Sequence, residues 1–236
     1  MEHRLPEFHD CPGLQRGRGV INIGADRSYR PEDTLYRRPR RRPAFAGLFR
    51  FSDVEIRHLA VGLLLISTIP LTLMSGDLFR RPIVVLGAVG IFAAAFLLHE
   101  LAHKFSAQQL GYWAEFRLNM FGVLITLMSF FSNFKVVAPG AVVISGLMFG
   151  EDYGKISLAG PLTNIIQAFL YLFVGFTSAN HLVGFLADAG VTVNSSLALF
   201  NLIPFGVFDG AKILRWDWRV WLAAVATSGL LFFYAL

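Results

Sequence analysis

The sequence predicts an α-helical polytopic membrane protein with about five transmembrane helices and a membrane-associated β-hairpin region. Three observations carry that expectation. Of the 236 residues, 55% are hydrophobic and 16% are charged, where a soluble domain usually carries about a quarter charged residues. The charges are uneven: residues 1–50 hold 11 arginines against six acidic residues, and the remainder of the chain holds ten basic and ten acidic groups. Between these later clusters lie long uncharged runs, to be judged against the roughly 17–25 residues a helix needs to cross a bilayer.

Residues 1–50 read as a disordered basic tail. They are rich in Arg, Pro and Gly and include Arg37-Arg38-Pro39-Arg40-Arg41-Arg42-Pro43. Such a segment buries too little apolar surface to offset the entropy of ordering. Beside a first span, a basic run is a topology signal and a lipid-headgroup contact more simply than a nucleic-acid patch, and it places the N-terminus in the cytoplasm. His3, His9 and Cys11 fit no standard metal-site spacing and lack a fourth ligand. The single Cys11 excludes an internal disulfide. The start lacks the short apolar core and small-residue cleavage site of a signal peptide, so the first apolar span is expected to serve as an uncleaved insertion signal.

Residues 51–236 form the expected membrane-embedded domain. Five uncharged runs read as spans: 59–76, 83–98 (extended as a helix through about 109), 156–180, 189–208 and 220–236. A sixth, 118–134, is borderline. After it, Pro139-Gly140 suits the centre of a type II turn, and the flanking Val136, Val137, Val142, Val143 and Ile144 favour strands. Residues 116–145 therefore read as β-rich and hairpin-like, with 118–134 open between crossing the membrane, dipping into it and lying on it.

The sharpest motif is His99-Glu100-Leu101-Ala102-His103. Histidines at i and i+4 share one helix face, where one zinc ion can take both imidazoles. Glu100 then lies beside the metal, able to accept a proton from water that zinc acidifies to a pKa of about 7. HExxH alone can arise by chance, and the alternative is that its residues are ordinary charges at a membrane interface. Position favours the metal: the apolar run Ile91 to Leu98 leads straight into the motif, and an ionisable cluster at a membrane helix end is by default functional. A catalytic zinc site usually has three protein ligands and one open position. Asp209 is the only charged residue between Asp188 and Lys212, and it ends an apolar stretch that Pro204 and Gly206 would bend.

HExxH together with Asn201-Leu202-Ile203-Pro204-Phe205-Gly206-Val207-Phe208-Asp209-Gly210 resembles the signature of site-2 proteases, the intramembrane zinc metalloproteases. The resemblance covers roughly residues 83–215. It implies that His99, His103 and Asp209 hold one zinc ion per chain, that Glu100 is the general base, and that Asn201 binds substrate or steadies the oxyanion. Ala159-Gly160-Pro161-Leu162-Thr163-Asn164 is similar to the small-residue and Asn motif on the family's middle core helix. That would give Asn164 a substrate or oxyanion role, while a side chain bridging two helices stays equally open. The implied activity is hydrolysis of peptide bonds within or near transmembrane segments, as in regulated intramembrane proteolysis. The implied partners are single-span membrane proteins, remnant signal peptides and the lipid bilayer, with a homo-oligomer left open. A metal carrier using the same residues would need polar groups along a through-path, and the spans carry few. A scaffold without activity would have no use for Glu100.

Charge placement predicts a topology. For the histidines and Asp209 to meet, their helices must run in the same direction, both from outside to inside. An odd number of crossings must therefore separate them, so 118–134, the weaker candidate, does not cross. Lys135 and Lys155 then lie inside, and a loop at 181–188 lies outside without Lys or Arg; Arg80 and Arg81, outside, are the exception. The C-terminus is expected outside. The hairpin offers an exposed strand edge, which site-2 proteases are thought to use to hold an unwound substrate by β-augmentation.

Overall fold

The structure, a computed structural model, describes residues 50–129, 139–146, 148 and 150–236. The basic tail expected over residues 1–50 lies outside the described residues except for Arg50. The chain is a polytopic helical bundle with a small two-stranded antiparallel sheet. Helix α1 (Asp53–Leu73) starts at Ser52, whose hydroxyl accepts the Glu55 amide at 3.2 Å. Helix α2 (Pro82–Gln109) opens on proline, whose missing N–H is no loss in a first turn. Strand β1 (Trp113–Leu118), the ten-residue helix α3 (Met120–Ser129) and strand β2 (Gly140–Ser145) follow. Then come α4 (Gly150–Thr177), α5 (His181–Asn201), α6 (Asp209–Trp216) and α7 (Trp218–Tyr234).

Helices α1, α2, α4 and α5 are long and apolar enough to cross a membrane, and α7 is a shorter apolar helix of 17 residues. The expected spans fall on these five helices. Within the described residues, helix α3 is about 15 Å long at 1.5 Å per residue, shorter than a span, and residues 130–134 of the borderline run, with Lys135, Val136 and Val137, lie outside the described residues. Helix α4 packs along α5, α2 and α6, so it is the central post of the bundle. One apolar cluster, with Ile165, Ala168, Val191, Ala198 and Ile213, joins α4 to α5 and α6. A second, Leu59, Ile66, Phe96 and Phe116, joins α1, α2 and β1.

Three details differ from the sequence expectation. The helix expected over 189–208 begins at His181, because the Asn180 side chain accepts the Leu182 and Val183 amides at 2.9 and 3.3 Å and starts the helix there. Residues 181–188 are thus helical, with Asp188 exposed on the surface of α5. That helix ends at Asn201, and Asp209 begins the separate helix α6. Finally, Pro139-Gly140 is not a hairpin turn. Gly140 is the first residue of β2, opposite Leu118, and α3 lies between the two strands in sequence. A Cβ at Gly140 would collide with the Arg117 carbonyl and sit 2.6 Å from the Phe116 ring, so close strand packing explains this glycine.

Among the described residues, α1 covers one edge of the sheet and no strand pairs with the other. The Phe116 amide donates to Glu55 Oε1 at 3.0 Å, and the Leu118 amide donates to His58 Nδ1 at 3.3 Å, so α1 covers the outer edge of β1. Glu55 is itself fixed by Lys104 of α2, which also donates to the Arg50 carbonyl at 2.7 Å and lies 3.8 Å over the Phe51 ring. Both charges are buried, Glu55 fully and Lys104 at 1% exposure. In an antiparallel pair, main-chain groups alternate between facing the partner strand and facing away. Phe116 and Leu118 face away, so their partners Val142 and Gly140 present their main-chain groups to the opposite edge, where the Val142 amide donates to Glu100.

Candidate metal centre

The i, i+4 spacing on α2 brings the His99 and His103 rings to 4.7 Å between centroids, with their Nε2 atoms 3.1 Å apart. Asp209 reaches them from the start of α6, with Oδ2 at 3.1 Å from His103 Nε2 and 3.8 Å from His99 Nε2. These three are the His, Cys, Asp and Glu group with metal-site spacing among the described residues, and all are buried. Local sequence explains the approach. Gly206, at φ +59°, turns the chain in the left-handed region between α5 and α6. Gly210 lies so close to the Leu202 carbonyl that a Cβ could not fit, and the same carbonyl accepts Trp221 Nε1–H at 2.8 Å.

The donor chemistry fits a metal ion. His103 Nδ1 lies 2.8 Å from the Ile156 carbonyl, which can only accept, so Nδ1 carries a proton and Nε2 is left as the ligand atom. His99 Nδ1 lies 2.5 Å from Asn164 Oδ1 and is placed in the same way. Two ring nitrogens and a carboxylate oxygen therefore converge. A proton can serve two of them at a time; a cation can serve all three. Their separations bracket the roughly 3.3 Å between ligand atoms that tetrahedral zinc requires at Zn–N distances of about 2.0–2.1 Å. Asp209 brings Oδ2 to this point. Its other oxygen, Oδ1, accepts from Lys212 Nζ at 3.1 Å.

The centre opens on a cavity of about 550 Å³. Glu100, Asn201, Lys212 and the Gly140–Val142 edge of β2 line it. Glu100 is 8% exposed, and its Oε2 has no hydrogen-bond partner among the described residues. Buried polar atoms normally have one, so this oxygen is available to a ligand or a proton. Asn201 lines the cavity while its Nδ2 donates to the Leu197 carbonyl at 3.0 Å. Asn164 is fully buried behind His99 and is not among the lining residues. It donates to the Ala95 carbonyl on α2 and to Asn194 on α5.

Gly160, Lys212 and Asn194 also contribute; Gly160 falls within the small-residue motif at 159–164, and the other two carried little signal in the sequence. Gly160 of α4 touches both rings; a Cβ there would collide with His103 Nε2 and lie 2.7 Å from His99 Cε1. Lys212 is legible only as a basic residue one helical turn after Asp209. Asn194 is a single amide within an apolar run, and that isolation is the one signal that could have marked it.

Two curated proteins of Methanocaldococcus jannaschii are similar to this chain. "Putative zinc metalloprotease MJ0611" is 33% identical over 177 residues, which cover 74% of this chain and 90% of MJ0611. "Zinc metalloprotease MJ0392" is 27% identical over 170 residues, which cover 71% of this chain and 44% of MJ0392. No protein-family model matches the chain, and no solved structure matches significantly.

Proposed function

The chain belongs to a family of zinc metalloproteases, and from that premise we propose that it is an intramembrane protease of the site-2 type. On this reading it hydrolyses peptide bonds within or near the transmembrane segments of anchored proteins, as in regulated intramembrane proteolysis. The observation that carries the proposal is the meeting of His99, His103 and Asp209, buried, at a cavity whose histidines ride on a membrane-length helix. Ionisable groups at such a place are costly and are kept for function.

His99, His103 and Asp209 would hold one zinc ion. Bound there, zinc would supply Lewis acidity, polarising a carbonyl and making water nucleophilic at neutral pH. Glu100 takes the proton from the attacking water on Oε2, its unpartnered oxygen, and returns it to the leaving amine. Asn201, on the cavity wall, orients the substrate main chain or the developing oxyanion. The open edge of β2 takes an unwound substrate segment as a third strand, with Val142 presented towards Glu100. Substrates of this class are single-span proteins or signal-peptide remnants, which reach the site from the surrounding bilayer.

The test is cleavage of a tagged single-span substrate by the purified chain in detergent, beside Glu100→Gln, with zinc measured in both. Loss of cleavage by about 10²–10⁴-fold with zinc retained is expected of a missing proton acceptor. Parent protein that holds no zinc when prepared without chelators would sink the proposal. Glu100→Gln cleaving as fast as the parent would remove Glu100 from the mechanism.

A further inference from the structure

We infer that Asn194, acting through Asn164, is a positioning residue that fixes the tautomer of His99; the inference rests on the zinc site proposed above. The direction of every bond in the chain follows from chemistry. The Gly190 carbonyl can only accept, so Asn194 Nδ2 donates to it at 2.9 Å and Asn194 Oδ1 is turned to Asn164. Asn164 Nδ2 spends one N–H on that oxygen at 2.9 Å and the other on the Ala95 carbonyl at 3.0 Å. Its Oδ1 is then the atom facing His99 Nδ1 at 2.5 Å, and it can only accept. His99 must place its proton on Nδ1, which leaves the Nε2 lone pair facing His103 and Asp209.

The relay crosses three helices, from α5 through α4 to α2. Asn164 and Asn194 are fully buried and His99 is 3% exposed. Neither asparagine lines the cavity. Buried amides in an apolar bundle are costly unless every donor and acceptor is used, and here both Nδ2 donor bonds of Asn164 are accounted for. The relay also has a geometric consequence. Helix α5 carries Asn201 two turns beyond Asn194 and leads into the turn that delivers Asp209. A polar link therefore ties the helix of the histidine ligands to the helix that sets the third ligand.

Two measurements on the full purified chain test this. The first is zinc affinity by chelator competition for the parent, Asn164→Leu, Asn194→Leu and the double variant. Asn164→Leu is expected to weaken zinc about 10–100-fold, as loss of a partner behind a ligating histidine does. Asn194→Leu should weaken it by less. The double variant should be no worse than Asn164→Leu, because Asn194 acts only through Asn164. Asn164→Asp, which still accepts from Nδ1–H, should recover most of the loss. The second is the ring ¹⁵N shifts of His99 in metal-free protein, assigned against His99→Gln. The parent and Asn164→Asp should show a protonated Nδ1, and Asn164→Leu a mixture of tautomers. Unchanged tautomer and affinity in Asn164→Leu, or additive losses in the double variant, would overturn the relay. Should the leucine variants not fold, a mixed tautomer in Asn164→Asp would overturn it as well. A parent that holds the Nδ1 proton but binds no zinc would refute the zinc reading and leave the relay standing.

Discussion

The centre works by dividing each side chain between two tasks. Each histidine gives its Nδ1 proton to a fixed acceptor, the Ile156 carbonyl or Asn164, and keeps Nε2 for the ligand position. Asp209 gives Oδ1 to Lys212 and keeps Oδ2. Gly160 makes room for this by having no side chain. Gly160→Ala is therefore expected to displace a ring and weaken zinc on the order of 100-fold, the upper end for disturbed ligand orientation. Overpacking should also cost about 1–3 kcal/mol of fold stability. Gly90→Ala, on α2 with nothing within 4 Å of the new Cβ, is the control and should bind zinc as the parent does. Chelator competition on both variants decides; tight zinc in Gly160→Ala would mean that α4 yields to the methyl group.

At the scale of elements, the sheet bears on the proposed docking of a substrate strand. Helix α1 closes the β1 edge with Glu55 and His58, and the buried Lys104 holds Glu55 in place. The open edge belongs to β2 and lines the cavity. Val142→Pro removes the outward-facing N–H that donates to Glu100, without touching the ladder to β1. Cleavage is expected to fall at least about tenfold, the equivalent of one hydrogen bond of roughly 1.5 kcal/mol, with zinc content unchanged. Val142→Pro that cleaves normally would remove β-augmentation at this position. The histidine pair was legible because helix periodicity alone fixes two side chains four residues apart. Asp209 was legible as a lone charge in an apolar stretch, although its own helix was not, since α6 has only eight residues. The roles of Pro139-Gly140 and Asn164 depend on contacts with residues distant in sequence, such as Phe116, Ala95 and Asn194, and no local pattern encodes those.

At the scale of the whole molecule, helix parity links the site to the membrane. Helices α4 and α5 separate the end of α2 from Asn201, so α2 and α5 run the same way and their late residues share one side. His99 is the eighteenth residue of the 28 in α2, about 25 Å along it, which puts the cavity towards the end opposite the α1–α2 connection. The excess of arginine before α1 predicts that this is the cytoplasmic side. The chain carries one cysteine, Cys11, so Cys11→Ser gives a clean background for single-cysteine labelling in cells with an impermeant maleimide. Ser178→Cys, between α4 and α5, should label from outside, and Lys155→Cys, near the start of α4, only after permeabilisation. The reverse pattern would invert the orientation and place cleavage on the outer side. Labelling of both positions from the same side would mean that α4 does not cross, and the meeting of α2, α5 and α6 would then have to occur at a membrane surface.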